Sequence, residues 1–207
     1  ALAGEHLSLY QLTIEPETAF GNRARRGEIL AADEETAAVL FEATQARLAA
    51  AGLPAYEISN HARPGAECRH NLAYWRYEDY VGIGPGAHGR VTRPGFEQGG
   101  GKVATRQLRM PEMWLAAIED AGSAIDETAP IPRETAVEEM LMMGLRLVEG
   151  VSRHRLEALA GCDAEALFAG KLPRLIDGGF LALNAERLAA TAAGRQRLNA
   201  VLGALLA

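Results

Sequence analysis

Side chains able to do chemistry crowd into one stretch of this sequence. Between Glu57 and His88 stand His61, Cys68, His70 and His88, which are three of the five histidines and one of the two cysteines. Tyr74, Trp75, Tyr77 and Tyr80 are interleaved with them. Imidazole and thiolate both bind zinc, but Cys68-Arg69-His70 places two donors only two positions apart, a spacing unlike that of zinc fingers. Flat aromatic rings beside an imidazole suit a flat macrocycle, because neutral imidazole is a common axial ligand of haem iron. The same rings could plug the end of a barrel, and any one histidine could be an ordinary surface or core residue. Spacing leaves these readings open.

The run Gly82-Ile83-Gly84-Pro85-Gly86 closes the stretch. A phosphate cradle is a weak reading, since Pro85 removes a backbone N–H from its middle and no helix pattern follows directly. Close backbone approach to a ligand at a strand end fits the glycines better, and a tight turn at a sheet edge fits about as well. Charge adds a further hint. Residues 63–109 hold eight basic side chains against four acidic ones, within a chain whose net charge is −6. Such a window can attract an anionic ligand, and its arginines could pair with carboxylate side groups, but a local excess of this size is ordinary for a solvated surface.

These residues need a frame. Residues 7–14 alternate well enough for a strand that Pro16 ends, and 17–32 reads as a polar, irregular excursion. Asp33 as N-cap, Glu34 and Glu35 in the first turn and Gly52 just past the end predict a helix over 34–51. A short strand over 55–60 would complete a βαβ unit with parallel strands, and a third strand is expected near 80–84. Catalytic loops of such units gather at Thr13–Pro16, Ser59–Arg63 and Gly84–His88, the C-terminal strand ends. Three strands cannot close a barrel, so the sheet requires more strands than this chain supplies. Together with the start at Ala1 inside a strand-like run, this reads as a fragment whose N-terminal segment is missing.

Farther along, 92–107 is a Gly-rich polar hairpin or loop, and 111–121 is a helix with Trp114, Leu115 and Ile118 inward. Pro130 and Pro132 mark a domain boundary near 128–133. Thr135 and Glu138 form a capping box for a helix running to Glu149. Helices follow from Ser152 to Gly161 and from Pro173 to Gly178. Two short strands at 180–184 and 187–191 and a last helix over 193–206 complete the pattern. Helices followed by a two-stranded ribbon resemble a winged-helix module.

Composition bounds the function. The chain has 207 residues and 48% hydrophobic residues, enough for a real core. No run of 18 apolar residues occurs, and no signal peptide is visible at the start. Two cysteines make no disulfide framework, which points to a reducing, cytoplasmic compartment. They are also too few for an iron–sulfur cluster.

His-Asn-Leu-Ala-Tyr-Trp at 70–75 resembles the HNxxYW signature of radical-SAM haem chaperones, in the family of oxygen-independent coproporphyrinogen III oxidases. LSLYQLTIEP at 7–16, YEISNHARP at 56–64, CRHN at 68–71, YVGIGPGAH at 80–88 and GLRLVEGV at 144–151 resemble the same family in the same order. The resemblance implies an α/β fold. Residues 1–128 would be the C-terminal part of a radical-SAM, partial TIM-type barrel, and 134–207 a small winged-helix-like accessory domain. It implies haem, with a [4Fe–4S] cluster and S-adenosylmethionine (SAM) in the complete protein. The cluster's CxxxCxxC loop is absent from this chain, and no catalytic residue is assigned. Thr13 and His88 match SAM-contact positions. His70 matches the proposed axial ligand of haem iron, with Asn71 fixing the loop and Tyr74 and Trp75 lining the macrocycle.

The expected function is haem chaperoning, with haem or a porphyrin-type ligand and client haem proteins as partners. The alternative is oxygen-independent oxidation of coproporphyrinogen III in porphyrin biosynthesis. A winged-helix DNA-binding regulator ranks below both. Residues 135–207 carry eight basic and eight acidic residues, and the candidate recognition helix offers only Lys171 and Arg174. No nucleic acid and no transmembrane segment are therefore expected.

Overall fold

The computed structural model describes residues 4–93 and 101–207. The chain forms two compact units, one ending at Cys68 and the other starting at Arg69. The expected boundary near 128–133 falls inside the second unit. Part of the expected 92–107 loop lies outside the described residues.

In the first unit, β1 (His6–Ser8), α1 (Ala19–Arg25), α2 (Glu34–Ala50) and β2 (Asn60–Ala62) follow in order. α2 starts where its sequence says: the Asp33 carboxylate accepts from the Thr36 N–H at 2.8 Å, and Gly52 supplies a φ of +77° just past the end. α1 occupies the stretch expected to be irregular, capped by Thr18, whose hydroxyl accepts from Gly21 N–H.

The expected parallel βαβ unit does not form. β1 and β2 pair antiparallel, His6 opposite Ala62. The long strand over 7–14 shrinks to three residues, because past Leu9 the backbone finds no ladder partner among the described residues. The strand expected at 55–60 is displaced by a turn. Glu57, fully buried, accepts from Ser59 N–H (2.8 Å), Ser59 Oγ (2.9 Å) and Asn60 Nδ2 (2.6 Å), which bends 56–59 and delays the strand to Asn60.

The second unit opens with α3 (Arg69–Trp75), followed by β3 (His88–Thr92), β4 (Lys102–Gln107), α4 (Pro111–Ala121) and β5 (Ile125–Pro130). The three strands form one antiparallel sheet in the order β3-β4-β5. The hairpin is present, whereas the strand expected at 80–84 reduces to a single bridge between Tyr80 and Arg90. In α4, Trp114 and Ile118 are half-buried, but Leu115 is 51% exposed. Positions 114 and 118 share a face and 115 lies about 100° away.

Next come α5 (Arg133–Gly144), β6 (Val151–Ser152), α6 (Arg153–Ala160), α7 (Ala164–Leu167) and α8 (Lys171–Asp177). β7 (Leu181–Leu183), β8 (Arg187–Ala190), α9 (Ala192–Gln196) and α10 (Leu198–Leu206) complete the chain, so the expected last helix is broken at Arg197. A second antiparallel sheet has the order β6-β8-β7. The Thr135 capping box is not used: α5 starts three residues earlier than that box would place it, with the Pro132 carbonyl accepting the first helical bond from Ala136 at 2.9 Å. Nor does α5 reach Glu149. Leu145 and Leu147 are both almost fully buried, and two residues apart on a helix would point about 200° apart. The chain therefore turns after Gly144 and sends both inward with Leu141, Leu156, Leu172 and Leu188, each worth about 2 kcal/mol of apolar burial.

Gly150 closes that turn at φ +72°, and a Cβ there would stand 2.3 Å from the Leu188 carbonyl oxygen. Gly150→Ala is expected to destabilise the second unit by about 2 kcal/mol or more through strain and collision. Both tryptophans, Trp75 and Trp114, lie in that unit. Urea unfolding followed by tryptophan fluorescence measures the loss, and an unchanged midpoint would contradict it.

Candidate functional site

The signature 70–75 is the helix α3 itself, and its residues divide between helix faces. His70 and Tyr74, four apart, lie together with ring centroids 4.7 Å apart and nearly edge-on at 64°. Tyr80 continues the cluster at 4.2 Å from Tyr74. His70 is exposed, so its imidazole is open to a ligand. Trp75 lies five residues on, about 140° around the helix from His70, with Asn71 on its side. The Arg146 guanidinium covers the Trp75 ring at 4.5 Å. His70 and Tyr74 are thus brought together, and Trp75 is turned away from them.

Gly82–His88 is a closed loop. Backbone bonds in both directions between Tyr80 and Arg90 pinch its base (2.8 and 2.9 Å). A Cβ on Gly82 would meet the His88 carbonyl oxygen at 2.4 Å, so the close approach this glycine permits is to the loop's own backbone. Gly84 and Gly86 take φ of +109° and +71°. Gln107 ties the loop to the sheet, donating to the Gly82 carbonyl (3.1 Å) and accepting from the Trp114 indole (3.2 Å). His88 stands exposed at the start of β3.

Thr13 belongs to the first unit, where it is exposed beside a cavity of about 570 Å³ with mostly apolar walls that include Leu9, Leu40 and Phe41. His61 lines the same cavity from β2, 1% exposed. Burial holds its imidazole below the usual histidine range, outweighing a hydrogen bond to the Leu53 backbone, so it is neutral at pH 7.

Four of the eight basic residues in the 63–109 window, Arg76, Arg90, Lys102 and Arg106, stand in ion pairs. Lys102 contacts Asp79 at 2.5 Å and sits 4.8 Å over the Tyr77 ring, and Arg106 meets Asp126 (3.0 Å) and Glu127 (3.1 Å). Arg90 makes a two-pronged contact with Glu139 of α5 (Nε to Oε2 3.1 Å, a terminal nitrogen to Oε1 2.9 Å). The Tyr77 hydroxyl donates to the same carboxylate at 2.6 Å. Tyr77 is 3% exposed and sits at φ +53°, a costly backbone for a tyrosine. Sequence reasoning passed over Glu139, since nothing in its neighbourhood marks it. Glu57 carried a readable signal in Ser59 and Asn60, two local donors just downstream.

A family model described as the HemN C-terminal domain matches residues 131–197. The chain is 32% identical over 206 residues to "Heme chaperone HemW" of Bacillus subtilis (strain 168), covering 100% of this chain and 52% of that relative. It is 36% identical over 202 residues to the protein of the same name from Escherichia coli (strain K12), covering 98% and 50%. Over nearly its whole length this chain is similar to proteins named haem chaperones. It spans about half the length of the curated relatives it matches. The solved coproporphyrinogen III oxidase (HemN) from Escherichia coli, described as a radical SAM enzyme, superposes with a TM-score of 0.67 over 99% of this chain and 48% of that one. At 15% identity this is a likeness of fold, mixed α/β in both.

The residues present fit some of the groups expected of such a relative. An exposed imidazole flanked by tyrosine suits haem iron. A [4Fe–4S] cluster does not fit: the sequence holds two cysteines, and no group of three or more metal-binding side chains occurs among the described residues.

Burial pushes the Glu139 carboxyl upward, but hydrogen bonds from Arg90 and Tyr77 outweigh it and hold the group below the usual carboxylate range. Its stabilisation is complete above the unfolded value near 4.5 and fades as pH falls through the lower folded value. Glu139→Gln is therefore expected to cost about 2 kcal/mol at pH 7 and much less at pH 3. Urea midpoints of both proteins at the two pH values check this, and a gap that persists at pH 3 would contradict it.

Proposed function

We propose that this chain is the haem-holding portion of a radical-SAM haem chaperone, which binds haem and passes it to client haem proteins. The observation that carries the reading is the exposed His70 imidazole with Tyr74 at its side, on a helix whose sequence is HNLAYW. Identity of 32% and 36% to relatives named haem chaperones supports it over the oxidase reading. His70 would supply a lone pair to haem iron, with Tyr74 beside the imidazole and Tyr80 packed in turn on Tyr74. Trp75 and Asn71 shape the far side of α3 and do not cover the macrocycle.

SAM belongs to the complete protein, where it would supply radical chemistry together with a cluster held by cysteines outside these 207 residues. Thr13, beside the first unit's cavity, and His88, at the mouth of the glycine loop, are its contacts here. Residues 1–128 would form part of the barrel wall and 134–207 a winged-helix-like accessory domain, a division supported by a family match starting at 131. We place the protein in the cytoplasm on its two free cysteines. No described helix is long and apolar enough to cross a membrane.

Haem titration followed by absorbance tests the reading. A saturable one-to-one Soret shift is expected in the wild type and in His154→Ala, a surface histidine on α6, and is expected to be lost in His70→Ala. Equal binding by all three folded proteins would remove His70 as ligand, and absence of binding in all three would remove haem.

A further inference from the structure

α3 cannot hold its own place. It has seven residues, none of them buried, where a helix alone in water needs about 12 to persist. Its position must come from contacts made by other elements. Residues 139–155, inside the stretch matched by the family model, supply several. The Arg146 guanidinium lies 4.5 Å over the Trp75 ring, and Glu149 pairs with Arg76 at 2.8 Å. Arg155 donates to the carbonyls of Arg76 (2.9 Å) and Tyr77 (3.3 Å), and Glu139 accepts from the Tyr77 hydroxyl at 2.6 Å.

These ties are unequal. The Arg76–Glu149 pair leaves 40% and 34% of its side chains exposed, and water screens most of the gain of such a pair. Glu139 and Arg90 are each only 21% exposed, and their contact is two-pronged, with the Tyr77 bond added to it. Two routes lead from Glu139 to Tyr74, the ring beside His70. Tyr77 donates its backbone N–H to the Tyr74 carbonyl at 2.9 Å, closing the last turn of α3, and keeps a φ of +53° that a tyrosine adopts only where other contacts hold it. Arg90 exchanges backbone bonds with Tyr80 (2.8 and 2.9 Å), and the Tyr80 ring stands 4.2 Å from Tyr74. Tyr74 in turn meets His70 at 4.7 Å. All of these residues lie in the second unit.

We infer that Glu139 is a positioning residue for the ligand at His70. Through Tyr77 it holds the end of α3, and through Arg90 it holds Tyr80 against Tyr74, so that the imidazole is presented in one orientation before haem arrives. The inference rests on the haem reading and adds to it a dependence of haem affinity on α5. It gives the region from 131 onward a part in ligand binding although Glu139 itself does not touch His70.

The test compares wild type with Tyr77→Phe, Glu139→Gln, Glu139→Asp and Leu172→Ala, the last a buried side chain on α8 that makes none of these contacts. Soret titration gives haem affinity, circular dichroism checks the fold, and hydrogen exchange of the haem-free chain reports opening of 69–77. Tyr77→Phe and Glu139→Gln are each expected to weaken haem roughly tenfold and to speed exchange over 69–77, because only chains with α3 in place are competent to bind. Leu172→Ala is expected to lower the urea midpoint and yet bind haem as wild type does. Glu139→Asp, which keeps the charge, is expected to recover part of the affinity. Tyr77→Phe, which removes a single hydroxyl, decides the matter if Glu139→Gln does not fold. Wild-type affinity in the folded variants would overturn the positioning role and leave the haem reading standing. An equal loss in Leu172→Ala would make Glu139 a residue of stability alone and likewise overturn it. No Soret change in any of the proteins would remove the haem reading and this inference with it.

Discussion

One half-buried carboxylate, Glu139, takes three hydrogen bonds from two segments that carry the candidate site. Tyr77 follows the signature helix directly, and Arg90 sits in the strand that leaves the glycine loop. With 21% of its side chain exposed, the carboxylate has given up much of its hydration, which only charged or short hydrogen bonds repay. Tyr77 is held in left-handed backbone by the same contact. The turn after HNLAYW is therefore fixed by α5, an element more than sixty residues away in sequence.

Where local chemistry decides structure, the sequence was readable. Asp33 and Gly52 bound α2, Ser152 and Gly161 bound α6, and both pairs act as caps. The strands were less readable, because a strand is defined by its partner. Leu9, Tyr10 and Leu12 alternate as a strand would, yet they lie beside a cavity with no ladder beyond Ser8. Parallel pairing was inferred from order alone, and the short β1 and β2 run antiparallel. Thr135 and Glu138 had the spacing of a capping box, but Pro132 starts the helix first.

The candidate site was legible as a set of residues and not as an arrangement. His70 and Tyr74 meet as the four-residue spacing allows, whereas Trp75 lies about 140° around the helix from His70. The excess of arginine in 63–109 overstated the free charge, since Asp126, Glu127 and Glu139 lie outside that window and pair with Arg106 and Arg90 inside it.

The two glutamates, Glu57 buried and Glu139 half-buried, differ in how far they reach along the chain. Glu57 gathers its donors from residues two and three positions on, so its turn can form as soon as that short stretch collapses. Glu139 gathers donors 49 and 62 positions away, and the entropy of closing such loops must be met before its hydrogen bonds exist. The first unit's turn is thus an early, local event in folding. The arrangement that sets HNLAYW beside the glycine loop is a late one, complete only after α5 has been made and docked.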